Sequence, residues 1–169
     1  QLNLKAPKQI QPGNYIKKVR IRSASLQEEV IVSVDISSEE FLFDVDAEVL
    51  PGFKEIEPGD ILNAKIELFN TRPLGKVDVE VQIEIKHIDG TVLFSTSKFV
   101  SVESFSSFIE TFEIPRDAKQ GNYIFNVKAL YDGKTASASD TFLISKKRYL
   151  GLSREKITTL ILILAIAII

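Results

Sequence analysis

Through the middle of the chain, apolar residues recur at every second position, the period of a β-strand with one buried and one wet face. Phe43, Val45, Ala47 and Val49 alternate with Asp44, Asp46 and Glu48, and Leu62, Ala64, Ile66 and Leu68 alternate with Asn63, Lys65 and Glu67. Val77, Val79, Val81, Ile83 and Ile85 alternate with Asp78, Glu80, Gln82, Glu84 and Lys86. Turn chemistry falls between the runs: Glu57-Pro58-Gly59-Asp60 before the second, and Asp89-Gly90, a hairpin signal, after the third. Further strands are predicted at 91–102, 108–114, 122–131 and 135–144, the last two joined by Asp132-Gly133. Seven short strands with regular turns, and no helical period before the tail, predict an all-β antiparallel sandwich.

The pattern changes at the end of the chain. The 13 residues from Ile157 to Ile169 are apolar apart from Thr158 and Thr159. As a helix they would cover ~20 Å, short of the hydrocarbon core of about 30 Å. A buried core helix usually keeps a polar stripe, and none exists from Leu160 onward. The run therefore predicts the first part of a C-terminal transmembrane helix whose remainder lies beyond Ile169. Just before it, Lys146, Lys147, Arg148, Arg154 and Lys156 form a basic linker over 146–156. Each such residue near an anionic membrane is worth about 1 kcal/mol, so membrane lipid is an expected partner. The positive-inside tendency, taken on this flank alone, points it to the cytoplasm.

An internal repeat reorganises the N-terminal third. Pro7-Lys8 and Gly13-Asn14-Tyr15-Ile16 recur 108 positions later as Pro115-Arg116 and Gly121-Asn122-Tyr123-Ile124. The same offset pairs Val19 with Val127, Arg20 with Lys128, Val30 with Ala138, Val34 with Phe142 and Ile36 with Ile144, without a gap. The second copy closes a seven-strand domain near 145. Residues 1–36 are therefore expected to be the C-terminal strands of a preceding domain, and 38–145 a complete one. The chain starts at Gln1 and contains no Met, which agrees with a piece of a longer protein.

Composition then removes most chemistry. With no Cys there is no disulfide scaffold, thiolate metal site or cysteine nucleophile. His87 is the one histidine, which excludes a multi-histidine metal cage; at a strand end it reads as a satisfied edge residue. Ser95, Ser97, Ser101, Ser104, Ser106 and Ser107 lie in no nucleophile elbow, and no glycine-rich phosphate loop is present. Acids are numerous enough for a two-carboxylate glycosidase, but no insertion between strands suggests a pocket. No catalytic residue and no cofactor are expected. A formal charge of −2 gives no basic field for nucleic acid.

That near-neutral total conceals segregation. Residues 1–22 carry Lys5, Lys8, Lys17, Lys18, Arg20 and Arg22 with no acid, while 27–60 hold eleven acids against Lys54. Asp35, Glu39, Glu40, Asp44 and Asp46 surround the expected domain junction, where oxygen ligands for calcium would stiffen a tandem pair. The competing reading is that Asp44, Asp46 and Glu48 simply keep one sheet face wet. Carbohydrate is a further ligand class, since sandwich modules can offer aromatic platforms; Trp is absent, and Phe53 and Phe105 are the exposed candidates.

Pro58-Gly59-Asp60, Asn70 at a strand end, Val77-Asp78-Val79-Glu80-Val81, Asp89-Gly90, Pro115, Gly121-Asn122-Tyr123 and Ala138-Ser139-Asp140-Thr141-Phe142 together resemble a cell-adhesion-related (CARDB-like) immunoglobulin-like domain. The resemblance covers 43–145 and, more loosely, 7–36. It implies tandem domains on archaeal or bacterial surface proteins, single-pass anchorage in the cell membrane and an extracellular β-domain. It also implies structural or adhesive work with a protein partner or a neighbouring domain, and no catalytic residues. An accessory docking subunit of a membrane-embedded complex is the alternative. Tyr123 falls where a tyrosine corner sits in such sandwiches, so its hydroxyl is expected to lock the fold.

Overall fold

The computed structural model describes residues 10–11, 13–22, 27–36, 42–72 and 75–146. Ten strands follow in chain order: β1 (Gly13–Arg22), β2 (Gln27–Ile36), β3 (Phe43–Val49), β4 (Glu55–Ile56), β5 (Ile61–Asn70), β6 (Val77–His87), β7 (Val92–Val102), β8 (Phe105–Glu113), β9 (Gly121–Tyr131) and β10 (Lys134–Ile144). β1 and β2 form a separate hairpin. The other eight form a sandwich of a three-stranded sheet, β3-β5-β8, against a five-stranded one, β4-β10-β9-β6-β7. This order is immunoglobulin-like, with the first, second and fifth long strands facing the third, sixth and seventh.

The period-2 residues do what the alternation predicts. Val45, Ala47, Val49, Leu62, Ala64, Ile66, Leu68, Val79, Val81, Ile83 and Ile85 all point into one core. At its centre, Phe125 is fully buried with its ring 6.0 Å from that of Phe112, edge to face. The tight turn between β9 and β10 has the expected chemistry. Asp132 (φ 48°) and Gly133 (φ 69°) both occupy the left-handed region and join β9 to β10, as a two-residue type I′ connection requires.

Two features close the sandwich along its open sides. A short 3₁₀ turn at Pro51–Phe53 carries the chain from the small sheet to the large one, where β4 pairs in parallel with the end of β10. Asp140 on β10 fastens this crossing: its carboxylate accepts from the Val49 amide at 2.7 Å and pairs with Lys54. Phe53 packs partly buried against the core here, which removes it as an exposed aromatic platform. On the opposite side the edge strands β7 and β8 meet. Lys98 reaches from β7 to Glu110 on β8, with its ammonium 3.9 Å from the Phe108 ring centre. A lysine turned inward at a sheet edge opposes edge-to-edge pairing with another chain.

The hairpin reproduces β9–β10. Adding 108 to both partners of each β1–β2 pair yields a β9–β10 pair, so that Gly13 opposite Ile36 becomes Gly121 opposite Ile144. The backbone at the first glycine is alike in both, at φ 154° and 144°. The tyrosine hydroxyls bond alike as well: Tyr15 donates to the Gln11 carbonyl and Tyr123 to the Lys119 carbonyl, each at 2.8 Å. The second of these is the expected tyrosine corner. The junction 37–41, the linker beyond Lys146 and the apolar run 157–169 lie outside the described residues. Among the described residues no helix is long and apolar enough to cross a membrane.

Candidate functional site

One end of the sandwich is held by a polar clamp around His87. Asp89 stands in the β6–β7 turn, receiving hydrogen bonds from Lys119 Nζ at 2.7 Å and the Thr91 amide at 3.0 Å. His87 Nδ1 lies 2.9 Å from the same carboxylate. The Lys119 hydrogen bond, followed by those from Thr91 and His87, holds the Asp89 carboxyl well below the usual carboxylate range. Burial, with the Asp89 charge nearby, pushes the Tyr123 hydroxyl up. The His87 ring meets Tyr123 edge to face at 5.1 Å and is itself buried. His87 is thus a packed and satisfied residue, but on an inner strand rather than an edge. Beside it a hollow of about 440 Å³ carries no serine, threonine or cysteine among its lining residues, so the imidazole faces no nucleophile there.

The clamp has a pH signature. A carboxyl whose folded pKa is depressed adds stability above its unfolded value of about 3.9 and loses that contribution as pH falls below it. Asp89→Asn is expected to flatten the fall in melting temperature between about pH 4 and about pH 2 relative to the native chain. Thermal melts across that window check it; identical slopes would show that the clamp contributes nothing.

The acidic positions separate. Asp44 and Asp46 point outward from β3, and each Oδ1 accepts the amide of the following residue, at 3.0 and 2.9 Å. Asp35 instead sits where the hairpin rests on β10. Its Oδ1 accepts from Asn14 Nδ2 at 2.8 Å and its Oδ2 from Ser139 Oγ at 2.8 Å. Ser33 Oγ lies 3.1 Å from the same serine oxygen. Glu39 and Glu40 lie outside the described residues. Among the described residues no group of three metal-ligating side chains comes together. Lys146 follows β10 and is exposed, while Lys147, Arg148, Arg154 and Lys156 lie outside the described residues.

The outer face of the five-stranded sheet offers a different kind of site. Its cross-strand rows run Ser139–Asn126–Glu84–Ser95, then Ser137–Lys128–Gln82–Ser97, then Thr135–Leu130–Glu80–Phe99. A groove of about 480 Å³ lies over the first two rows, lined by Gln82, Glu84, Ser95, Ser97, Asn126 and Lys128 among others. A second hollow, about 390 Å³, continues over the third row beside Phe99. Asn126 is only 2% exposed although it faces outward, on the side where the hairpin rests. Phe99, 74% exposed, is the most open large apolar residue described. On the other sheet the exposed Phe105 packs against Phe69, their ring centres 5.0 Å apart. Sequence reasoning named Phe105 but missed Phe99, whose outward position follows from Phe94, Val100 and Val102 taking the inner side of β7.

The chain matches no known protein-family model, and no curated protein matches it in sequence. Among solved structures, the sporulation control protein Spo0M of Bacillus subtilis is similar at 11% identity and a TM-score of 0.51, over 64% of this chain and 51% of that one. A CARDB domain from Pyrococcus furiosus, solved with di-metal ions, aligns at 10% identity and TM-score 0.41 over 61% and 94% of the two chains. A family 123 glycoside hydrolase from Clostridium perfringens aligns at 13% identity and 0.47, over 63% and 28%. The chain spans about half the length of the sporulation protein, and that likeness shows a shared β-sandwich fold.

Proposed function

We propose that this chain is a non-catalytic spacer and protein-interaction segment of a membrane-anchored surface protein, in which β1–β2 closes a preceding sandwich and 38–145 forms the next. The observation that carries the reading is the duplicated hairpin, identical to β9–β10 in register and tyrosine bond. Its Tyr15, Ile21 and Val30 are exposed, although their equivalents Tyr123, Ala129 and Ala138 pack into a core. An isolated two-stranded hairpin is marginally stable, so that apolar face calls for the other strands of its own sandwich. The basic linker and the apolar tail support anchorage, and the resemblance to surface domains supports an extracellular address.

Hydrogen exchange tests the tandem reading. In the 169-residue chain, amides of 13–36 are expected to exchange far faster than those of 121–144. Equal protection would mean that the hairpin needs no further cover, and the reading would fail. Anchorage has its own test: deleting 157–169 is expected to release the protein from carbonate-washed membranes, and a truncated chain that stays in the pellet would remove the anchor.

A further inference from the structure

The geometry points to the outer face of β9, β6 and β7 as a binding site for a neutral oligosaccharide. β6 and β9 are each paired on both sides, so their backbones offer nothing to a ligand; recognition there must come from side chains. Those side chains include short hydroxyls and amides, with Asp78, Glu80 and Glu84 set against Lys86 and Lys128. Charges of both signs interleave, so no strong field of one sign is offered to a charged polymer. Each row lies about 7 Å from the next along the strands, so the run from Glu84 to Asp78 extends ~20 Å.

Buried polar atoms on this face identify the chemistry it lacks. Asn126 Oδ1, Ser137 Oγ and Asn14 Oδ1 are buried without a hydrogen-bond partner among the described residues. All three belong to this one patch: Ser137 is opposite Lys128, Asn126 is opposite Ser139, and Asn14 Nδ2 donates to Ser139 Oγ at 2.9 Å. Such atoms are rare in folded proteins, and each calls for an explanation. Asn126, nine-tenths buried and lining the groove, needs a donor there. A sugar supplies closely spaced hydroxyls that both donate and accept, which suits Asn126 Oδ1, Gln82, Ser95 and Ser97 together. At the far end the open Phe99 ring provides a flat apolar surface for the C–H face of a pyranose. A few placed polar groups beside an apolar platform are what orient a small ligand. This inference does not depend on the tandem arrangement.

The test is amide-shift mapping by NMR on the 169-residue chain in detergent micelles. Cellohexaose, maltohexaose, mannohexaose and chitohexaose are each titrated to millimolar concentration, with heparin as an anionic control. At least one neutral glycan is expected to give saturable shifts centred on Ser95, Ser97, Asn126 and Phe99. Phe99→Ala, at an exposed position that leaves the core intact, should weaken it ~10-fold, and Ser97→Trp should abolish it by filling the groove. Several results would overturn the site: no saturable shift with any of the four glycans, shifts centred on Phe69 and Phe105, tighter binding of heparin, or unchanged affinity in both variants.

Discussion

Alanine at Phe125 is expected to destabilise the sandwich by about 3–5 kcal/mol, the range for deleting a buried aromatic ring. The ring is fully buried and lies between the sheets, with Phe112 against it and Ile83 and Ile85 on the neighbouring strand. Both flanking strands are held by paired ladders, so the walls have little room to collapse into the void. A domain of this size has a total stability of roughly 5–15 kcal/mol, so the variant would sit near the edge of folding. Chemical denaturation measures it: the midpoint should fall steeply with little change in slope. A loss below about 1 kcal/mol would mean that the site relaxes far more than a paired inner strand allows.

Gly121→Ala should be nearly as damaging, for a different reason. Gly121 adopts φ 144°, a conformation that L-residues rarely take, and a Cβ built there stands 2.5 Å from His87 Nε2. The backbone strain is worth about 1–3 kcal/mol, and displacing the packed imidazole about 1–3 kcal/mol more. The repeat supplies an internal control. Gly13 has φ 154°, yet among the described residues a Cβ there meets nothing nearer than Lys128 Nζ at 4.0 Å. Gly13→Ala, in the separate hairpin and without the collision, should therefore leave the stability of the sandwich nearly unchanged. A His87→Ala background should recover part of the loss at Gly121 and none at Gly13. Equal effects at the two glycines would remove the steric account.

Most of the sandwich was readable from residue order because its small sheet and β6 are wet on one face. That condition produces strict alternation, and Phe43 to Val49 or Val77 to Ile85 state it directly. β9 does not alternate in burial: Tyr123, Ile124, Phe125, Asn126 and Val127 are all covered. The outward pair is buried on the side where a hairpin from another part of the chain rests, and no local pattern encodes that contact. The inward Lys98 was obscured for a similar reason, since its partner Glu110 is on the other sheet. β4 has two residues, too short for any period to show, and it exists because Leu143 and Ile144 offer it a ladder. The repeat was the clearest signal, because glycine conformation, the tyrosine bond and strand register are all local. The outer groove was the least legible. Gln82 and Glu84 read as ordinary wet-face residues, and only the packing around Asn126 sets that face apart from a merely solvated one.

The parallel pairing of β4 with β10 has a mechanical consequence. The chain enters the sandwich through β3, crosses to β4 and leaves from the end of β10. Tension that has peeled β3 from β5 reaches β4 and pulls it against β10 in opposite directions along their length. The Leu143 amide to Lys54 carbonyl bond and the Ser145 amide to Ile56 carbonyl bond, at 2.9 Å each, then bear load together in shear. An antiparallel hairpin pulled at its open end would instead unzip one bond at a time. The Lys54–Asp140 pair and the Ser145 hydroxyl bond to Glu55, at 2.7 Å, lie beside the same seam and share the load. The two-residue strand therefore sets its bonds to resist in shear, behind β3, rather than to unzip.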